Sequence, residues 1–390
     1  MSEQKALLER AQALRAEMVE NRRALHRHPE LGGEEKWTQK FLIEKLHEMG
    51  IEATTYPGMT CVVALIEGAH PGACVGIRAD MDALPVTEET DVSFKSEIPG
   101  RMHACGHDAH MAIALGAAKL LLERRADMHG SVKLLFEHAE ETFGGATQMI
   151  AAGCMENPHV SRMLGLHMLP SQRVGTLLTR SGAVSGSSTG IHITVTGVGS
   201  HGAYPDRGVD AILIASHIVC ALQSVVSRSV SPLDSAVVSL GQISGGKAGN
   251  VVCDRVELVG TLRALDDGTR EKCKQRIEAI CRGVAQGMGG GAQVEFIPGY
   301  GALVNDPALH ARFERIAREM LGEEGVVLRD APSLGVESFA FFVENVPGVY
   351  YDLGCGVGSP LHACDFRVDE DCLPLDAALQ AATALDFLKD

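Results

Sequence analysis

The run His103-Ala104-Cys105-Gly106-His107-Asp108 puts a thiol and an imidazole two residues apart in a glycine-containing turn. A helical apolar pattern over 110–124 begins just after it. A helix N-terminus favours negative charge and lowers a thiol pKa, which prepares a thiolate for a metal ion. Glu140-Glu141 follows a short apolar strand pattern at 131–136. Adjacent carboxylates at a strand end project in different directions, so one can ligate a metal while the other works as a base. His167 ends the apolar pattern 163–167, and His362 follows the pattern 348–353. Taken singly, each is commonly a packed or surface residue. Together they supply a thiolate, three imidazoles and a carboxylate, with one glutamate to spare. Five protein donors exceed one tetrahedral metal and suit two. Two metals sharing a water generate hydroxide near neutral pH and polarise a carbonyl. The spare glutamate would accept the water's proton and pass it to a leaving amine, which is the chemistry of amide hydrolysis.

Further polar residues surround this set. Asp80 and Asp82, in Arg78-Ala79-Asp80-Met81-Asp82, follow the apolar pattern 73–79 and suit orienters of metal-bound imidazoles. Turn chemistry ahead of Pro85 accounts for them nearly as well. His201, in Gly199-Ser200-His201-Gly202, and Asn250, closing the run from Gly245, lie in glycine-rich loops that could meet a substrate. A different chemistry would make Cys105 a nucleophile with His107 or His103 as its base, but leaves Glu140, Glu141, His167 and His362 without work. A non-catalytic, metal-stabilised binding protein is the third possibility, and the intact Glu140 weighs against it.

The elements that must carry these residues alternate. Residues 3–28 pattern as one amphipathic helix ended by His28-Pro29, and a second helix covers 34–49. Strands at 61–67, 73–79, 131–136 and 163–167 alternate with helices at 110–124 and 146–152, which predicts an α/β sheet flanked by helices. The stretch Ser181–Ser188 is rich in glycine and serine and patterns as a hinge or linker. Beyond it, strands at 191–196, 235–243, 251–265 and 292–297 and helices at 209–228 and 269–288 give the order βαββαβ of a ferredoxin-like fold. After Pro298-Gly299 the α/β texture returns, ending in an apolar helix at 374–388 with proline at its first position. The expected organisation is one domain from 1–184 and 300–390, with 185–299 inserted as a second.

With 390 residues, 45% of them apolar, the chain can bury more core than one compact domain usually carries. A formal net charge of −15 argues against nucleic acid and anionic membranes as partners. Eleven cysteines, an odd number without scaffold-like spacing, suit free thiols in a reducing compartment. Neither a secretory signal pattern nor an apolar run of membrane-spanning length is evident, so a cytoplasmic location is expected.

These motifs, in this order, resemble the amidohydrolase branch of the zinc aminoacylase/carboxypeptidase superfamily, which includes hippurate hydrolases, N-acyl-amino-acid deacylases and auxin-conjugate hydrolases. The likeness runs over nearly the whole chain: Arg23 to Leu31, Gly76 to Pro85, Met102 to Asp108, Ala139-Glu140-Glu141, Gly165-Leu166-His167, Ser200 to Ala203, Gly245 to Asn250 and Pro360-Leu361-His362. The resemblance implies that Cys105, His107, Glu141, His167 and His362 hold two divalent metal ions (zinc, manganese, cobalt or nickel), with Cys105 between them. It implies Glu140 as general acid/base. His201 would reach from an inserted lid into the partner subunit's site to hydrogen-bond the oxyanion, and Asn250 would contact substrate. The insert becomes a lid and dimerisation domain of a homodimer or higher homo-oligomer, and the substrate a small N-acyl amino acid. Four places depart from the usual pattern. Glu137-His138 replaces Gln-Pro, Glu337-Ser338-Phe339 replaces Glu-Asp-Phe, Ser188-Thr189-Gly190 lacks a common Asp, and Cys364-Asp365 follows the last ligand where the pattern is His-x-Pro-x-Phe-Asp.

Overall fold

A strand buried on both faces must be apolar throughout, and the central segments of this chain meet that condition. In the computed structural model, which describes residues 3–389, two compact units are found: Met1–Val184 with Val304–Ala331 and Ser338–Asp390, and Ser185–Leu303 with Pro332–Glu337. The chain begins with α1 (Glu3–Ala13), α2 (Arg15–Arg27) and α3 (Lys36–Glu48), then β1 (Ala53–Thr54), β2 (Val62–Glu67) and β3 (His70–Asp80). Helix α4 (His107–Glu123) leads into β4 (His129–Glu137), and α5 (Glu140–Phe143) and α6 (Ala146–Ala151) into β5 (Val160–Leu169), β6 (Leu177–Thr179) and β7 (Gly182–Ser185). Next come β8 (Ser187–Thr196), β9 (Ser200–His201), α7 (Ala211–Ser224), β10 (Ala236–Gly245), β11 (Val251–Val252), β12 (Arg255–Ala264), α8 (Asp267–Gly287), β13 (Gly291–Pro298) and β14 (Leu303–Asn305). The chain closes with α9 (Pro307–Leu321), β15 (Val326–Leu328), α10 (Phe339–Val343), β16 (Gly348–Gly354) and α11 (Cys372–Phe387).

The first unit is an eight-stranded sheet in the order β1-β2-β4-β3-β5-β16-β6-β15. All of β16 is buried, and so is every residue of β4 after His129. Strand β3 runs parallel to β4 and β5, and β16 runs parallel to β5. The register pairs Asp80 with Glu137 and His167 with Asp352, so the carboxyl ends of these four strands share one edge. That edge is where open α/β sheets gather ligands. Helix α4 is buried almost all round and packs on α11. A Cβ added at Gly116 would meet Met18 Sδ at 2.4 Å and Ala377 Cβ at 3.1 Å, so the small residue permits the close approach. Asp306 caps α9 by accepting from the Ala308 and Leu309 amides, with Pro307 at the first position.

The second unit has its own core of Ile191, Ile193, Ile214, Ile218, Leu258, Leu262 and Ile277. Its four strands pair antiparallel in the order β10-β12-β8-β13, the order of a ferredoxin-like sheet. Contrary to the sequence reading, which found no apolar run of membrane-spanning length, residues Ala211–Ser229 form a helix long and apolar enough to cross a membrane by length and composition. Their apolar stripe of Ile214, Ile218, Leu222 and Val225 is instead packed into this core.

Some expectations need correction. The leading helix is two helices, because the Leu14 amide donates to Ala11 O at 2.9 Å and tightens the turn at Ala13-Leu14. Pro298-Gly299 does not end the inserted unit, which continues to Leu303 and takes in Pro332–Glu337. The glycine- and serine-rich stretch is strand rather than linker: small residues pair in β7 and at the start of β8, where Ser188 and Thr189 oppose Arg263 and Leu262. The pattern 251–265 is two strands, β11 and β12, and Pro374 sits at the third position of α11.

Behind the sheet, Tyr351 Oη donates to Asp376 Oδ1 at 2.6 Å, and both side chains are fully buried. Burial pushes the Asp376 carboxyl up to about 7. The native protein therefore keeps a proton between about pH 4 and 7 that the unfolded chain has lost. This raised value stabilises the fold fully below about pH 4, and that stabilisation is lost as pH rises to about 7. Asp376→Asn should remove the slope. Thermal melts should show the Tm difference moving in the variant's favour from about pH 5 to about pH 8, whereas a constant difference would mean that Asp376 is already ionised in the fold.

Candidate metal centre

The site is assembled on the shared strand edge of the first unit. Gly106 precedes α4 with φ +87°, and a Cβ there would lie 2.8 Å from Met168 Cγ, so only glycine fits both the turn and the contact. That turn sets Cys105 and His107 at the N-terminus of α4, with His107 as the first helical residue. Cys105 Sγ lies 3.2 Å from His167 Nε2 and 3.5 Å from His362 Nε2. His362 Nε2 lies 3.3 Å from Glu141 Oε1. Two donor triads result, Cys105-His107-His167 and Cys105-Glu141-His362, each with its ligand atoms within 4.8 Å of one another, and Cys105 belongs to both. A third group joins His107, Glu140 and Glu141. His362 holds a left-handed backbone, φ +67°, and its amide donates to Ala104 O at 2.8 Å. Such strain in a non-glycine residue costs about 1–3 kcal/mol and persists only where the surroundings enforce it.

The imidazoles are oriented from behind. His107 Nδ1 donates to Asp82 O at 2.8 Å and His167 Nδ1 donates to Met168 O at 2.9 Å, which leaves Nε2 of each as a lone-pair donor. Among the described residues, His107 Nε2 and Glu141 Oε1 are buried and make no hydrogen bond, although His362 Nε2 approaches Glu141 Oε1 as an ion-pair neighbour. Burial alone would raise the Cys105 thiol, but the charge of His167 and the neighbouring His107 and His362 hold it well below its usual range. Burial and the Cys105 thiolate push Glu141 up to about 7. A thiolate, a buried carboxylate oxygen and a buried imidazole nitrogen facing one another form a donor set that fits divalent cations.

Asp80 and Asp82 take separate tasks. The Asp82 carboxylate accepts the Glu140 amide at 3.1 Å and the Glu141 amide at 3.0 Å. Asp80 accepts from Arg78 at 2.6 Å and from His110 Nδ1 at 2.5 Å. His110 Nε2 in turn accepts the Met168 amide at 3.0 Å. With both oxygens of Asp80 and both nitrogens of His110 engaged, the cluster Asp80-His107-His110 braces the centre and offers only His107 as a ligand. Sequence patterning does not single out His110 or Glu35. Glu35 is fully buried and accepts the Ala139 amide at 2.8 Å. His110 follows His107 by three residues on α4, a helical spacing that places both rings on one face and is the signal that could have found it.

Two of the departures meet on one guanidinium. Arg78, itself buried, donates to Glu137 Oε2 at 2.7 Å and to Ser338 Oγ at 2.7 Å. Arg78 also donates to Asp80, so Glu137 gives this guanidinium a second carboxylate and Ser338 a hydroxyl. Cys364 Sγ faces Glu89 Oε2 at 3.4 Å and joins none of the donor groups among the described residues. His103 is fully buried, and burial lowers its imidazole to about 4.

His201 and Asn250 lie in the second unit and adjoin each other there. His201 pairs with Val251 across β9 and β11, and the Gly202 amide donates to Asn250 O at 2.8 Å. The Ala203 amide donates to His201 Nδ1 at 3.1 Å, so the neutral ring of this exposed histidine carries its proton on Nε2.

Residues 76–386 match peptidase family M20/M25/M40. The chain is 36% identical to N-acetylcysteine deacetylase of Bacillus subtilis over 379 residues, covering 97% of this chain and 98% of that protein. It is 39% identical to the IAA-amino acid hydrolase ILR1-like 4 of Arabidopsis thaliana over 380 residues, covering 95% of this chain and 86% of that protein. Among solved structures, the YXEP protein of Bacillus subtilis, described as a dinuclear metal binding peptidase from the M20 family, aligns with a TM-score of 0.86 at 32% identity, covering 97% of this chain and 99% of that one.

Because Cys105 is common to both triads and His362 to one, their removal should differ. Cys105→Ala should weaken both metals by about tenfold or more, while His362→Ala should weaken one, as read by calorimetric titration of chelator-stripped protein. Equal two-metal binding in Cys105→Ala would remove the thiolate from the shared position.

Proposed function

The chain belongs to peptidase family M20/M25/M40 and is a metal-dependent hydrolase, and we propose that it cleaves the amide bond of a small N-acyl amino acid. The observation that carries this reading is the Cys105 thiolate common to two donor triads, with Glu140 beside the donor Glu141. Cys105, His107, Glu141, His167 and His362 would hold two divalent ions, zinc, manganese, cobalt or nickel. When bound, such ions supply Lewis acidity for an amide carbonyl and a water acidic enough to attack it near neutral pH.

The remaining work falls to this chain's own side chains. Glu140 accepts the water's proton at its carboxylate and returns it to the leaving amine nitrogen, so no net proton is consumed at that residue. Its Oε1 accepts the Ser338 amide at 3.3 Å, which steadies the carboxylate on one side. Glu141, one residue on, joins Cys105 and His362 in a donor triad that does not include Glu140. His201, with its proton on Nε2, is assigned as donor to the oxyanion that develops on the carbonyl. Asn250, adjacent to it in the second unit, is assigned to substrate contact. The names of the deacetylase and the amino acid conjugate hydrolase support an acyl–amino acid linkage as the substrate class.

The second unit is assigned as the lid and as the dimer contact. Strand β10 is an outer strand of its sheet and largely exposed, and Ile212 and Leu213 on α7 are about half exposed. An edge strand of this length is a ready template for a second copy. A cytoplasmic location accords with this use of free cysteines.

Chelator-stripped protein should release free amino acid from a panel of N-acyl amino acids only after zinc or manganese is added. Glu140→Gln should lower kcat by about 10²- to 10⁴-fold while binding the same number of metal ions. Turnover that ignores the chelator would overturn the metal reading and direct attention to Cys105 as a nucleophile.

A further inference from the structure

The two functional glutamates sit on a turn with an unusual backbone. Ala139 is in the left-handed region, φ +54° and ψ +38°, and is fully buried. An L-residue adopts that conformation only where its surroundings enforce it. The short helix α5 that follows is too brief to hold its own N-terminus, whose first amides have no partner within it.

Two carboxylates from elsewhere in the sequence supply those partners. Asp82 accepts the amides of Glu140 and Glu141. Glu35 Oε1 accepts the amide of Ala139 at 2.8 Å, and its other oxygen accepts from Thr60 Oγ1 at 2.5 Å. Three successive amides are thus gripped in one line. The loop bearing Glu35 also presses on the turn: a Cβ added at Gly32 would lie 2.9 Å from Ala139 Cα and 2.5 Å from Thr142 Oγ1. A fully buried carboxylate is costly unless its bonds are made, and Glu35 makes one of them to the turn that carries Glu140 and Glu141.

We propose that Glu35 is a positioning residue for the reaction, holding Ala139 in its left-handed conformation so that Glu140 and Glu141 diverge toward proton transfer and metal ligation. This rests on the roles given to those two glutamates above. Glu35 joins none of the donor groups among the described residues, and its bond to the turn is to the Ala139 backbone amide. What matters is then the reach of its oxygen to the Ala139 amide, and its charge matters less.

A pair of conservative variants separates reach from charge. Glu35→Asp keeps the charge and shortens the reach; Glu35→Gln keeps the reach and removes the charge. Both are made in the full chain, and metal affinity is titrated with zinc alone beside kcat and KM on the N-acyl amino acid panel. Glu35→Asp should lower kcat by about 10- to 100-fold and zinc affinity by about tenfold, with KM within about threefold, the scale of lost outer support at a metal site. Glu35→Gln should lose only about threefold in kcat and zinc affinity, because its amide oxygen still accepts the Ala139 amide. Thr60→Val, which frees one oxygen of Glu35 without touching the turn, gives a second route if Glu35→Asp fails to fold, and should lower kcat by about threefold with zinc affinity moving in step.

A Glu35→Gln variant as impaired as Glu35→Asp would overturn the proposal, since charge and not reach would then be the operative property. Wild-type kcat and zinc affinity in both Glu35 variants would overturn it as well. Loss of zinc affinity in Glu35→Asp, retained in Glu35→Gln, supports it even if the wild type turns over none of the panel. In that case only the substrate assignment falls.

Discussion

A thiolate and a carboxylate held within a few ångströms of each other, with imidazole nitrogens turned toward them, repel or orphan one another unless a cation sits among them. Cys105 and Glu141 are in that relation, and burial together with the Cys105 thiolate raises the Glu141 carboxyl. The fold around them keeps this arrangement from relaxing. Side chains free to rotate would turn His107 Nε2 and Glu141 Oε1 toward ordinary partners, because buried polar atoms rarely stay unpaired.

The restraint is a network of buried polar groups. Asp82 fixes His107 through its carbonyl and the Glu140-Glu141 turn through its carboxylate. Asp80 and His110 tie the end of β3 to the Met168 amide, next to His167. Arg78 joins Asp80, Glu137 and Ser338 at one point behind the centre. Breaking such a buried pair from one side leaves an uncompensated charge, which costs far more than the pair itself contributes. Arg78 therefore meets a carboxylate from β3, a carboxylate from β4 and the Ser338 hydroxyl at once. Two of the departures from the usual motifs, Glu137 and Ser338, thus share Arg78 as a partner; nothing in the structure explains the serine, threonine and glycine at 188–190.

The second unit follows a different logic. Its core is separate, its sheet is antiparallel, and its longest apolar helix buries one face and leaves Ile212 and Leu213 exposed. Composition cannot tell a half-buried helix of this kind from a membrane span, because both satisfy the same length and hydropathy. Packing against β8 and β12 separates them.

Much of this was legible in the amino-acid sequence. The α/β alternation, the βαββαβ block and the motifs around Cys105, Glu140, His167 and His362 all rest on local patterning, and local patterning is a property of near neighbours in the chain. It failed where contacts with other parts of the chain settle the matter: the break at Leu14, the pairing of the serine- and glycine-rich β7 with β14 and of β8 with β12 and β13, and the two strands within 251–265. Asp80 and Asp82 could be recognised as polar residues at a strand end, but not that one serves His110 and the other the backbone of Glu140 and Glu141. Glu35 was invisible, since its partner Ala139 is more than a hundred positions away and alanine carries no polar signal. Residue types and their order name the donors that are present, and therefore the chemistry open to the protein. The place of Cys105 between two metals was implied by resemblance, but the distances that put it in both triads, and which carboxylate holds which amide, came from tertiary structure, because those facts depend on distances between segments that the folded sheet brings together.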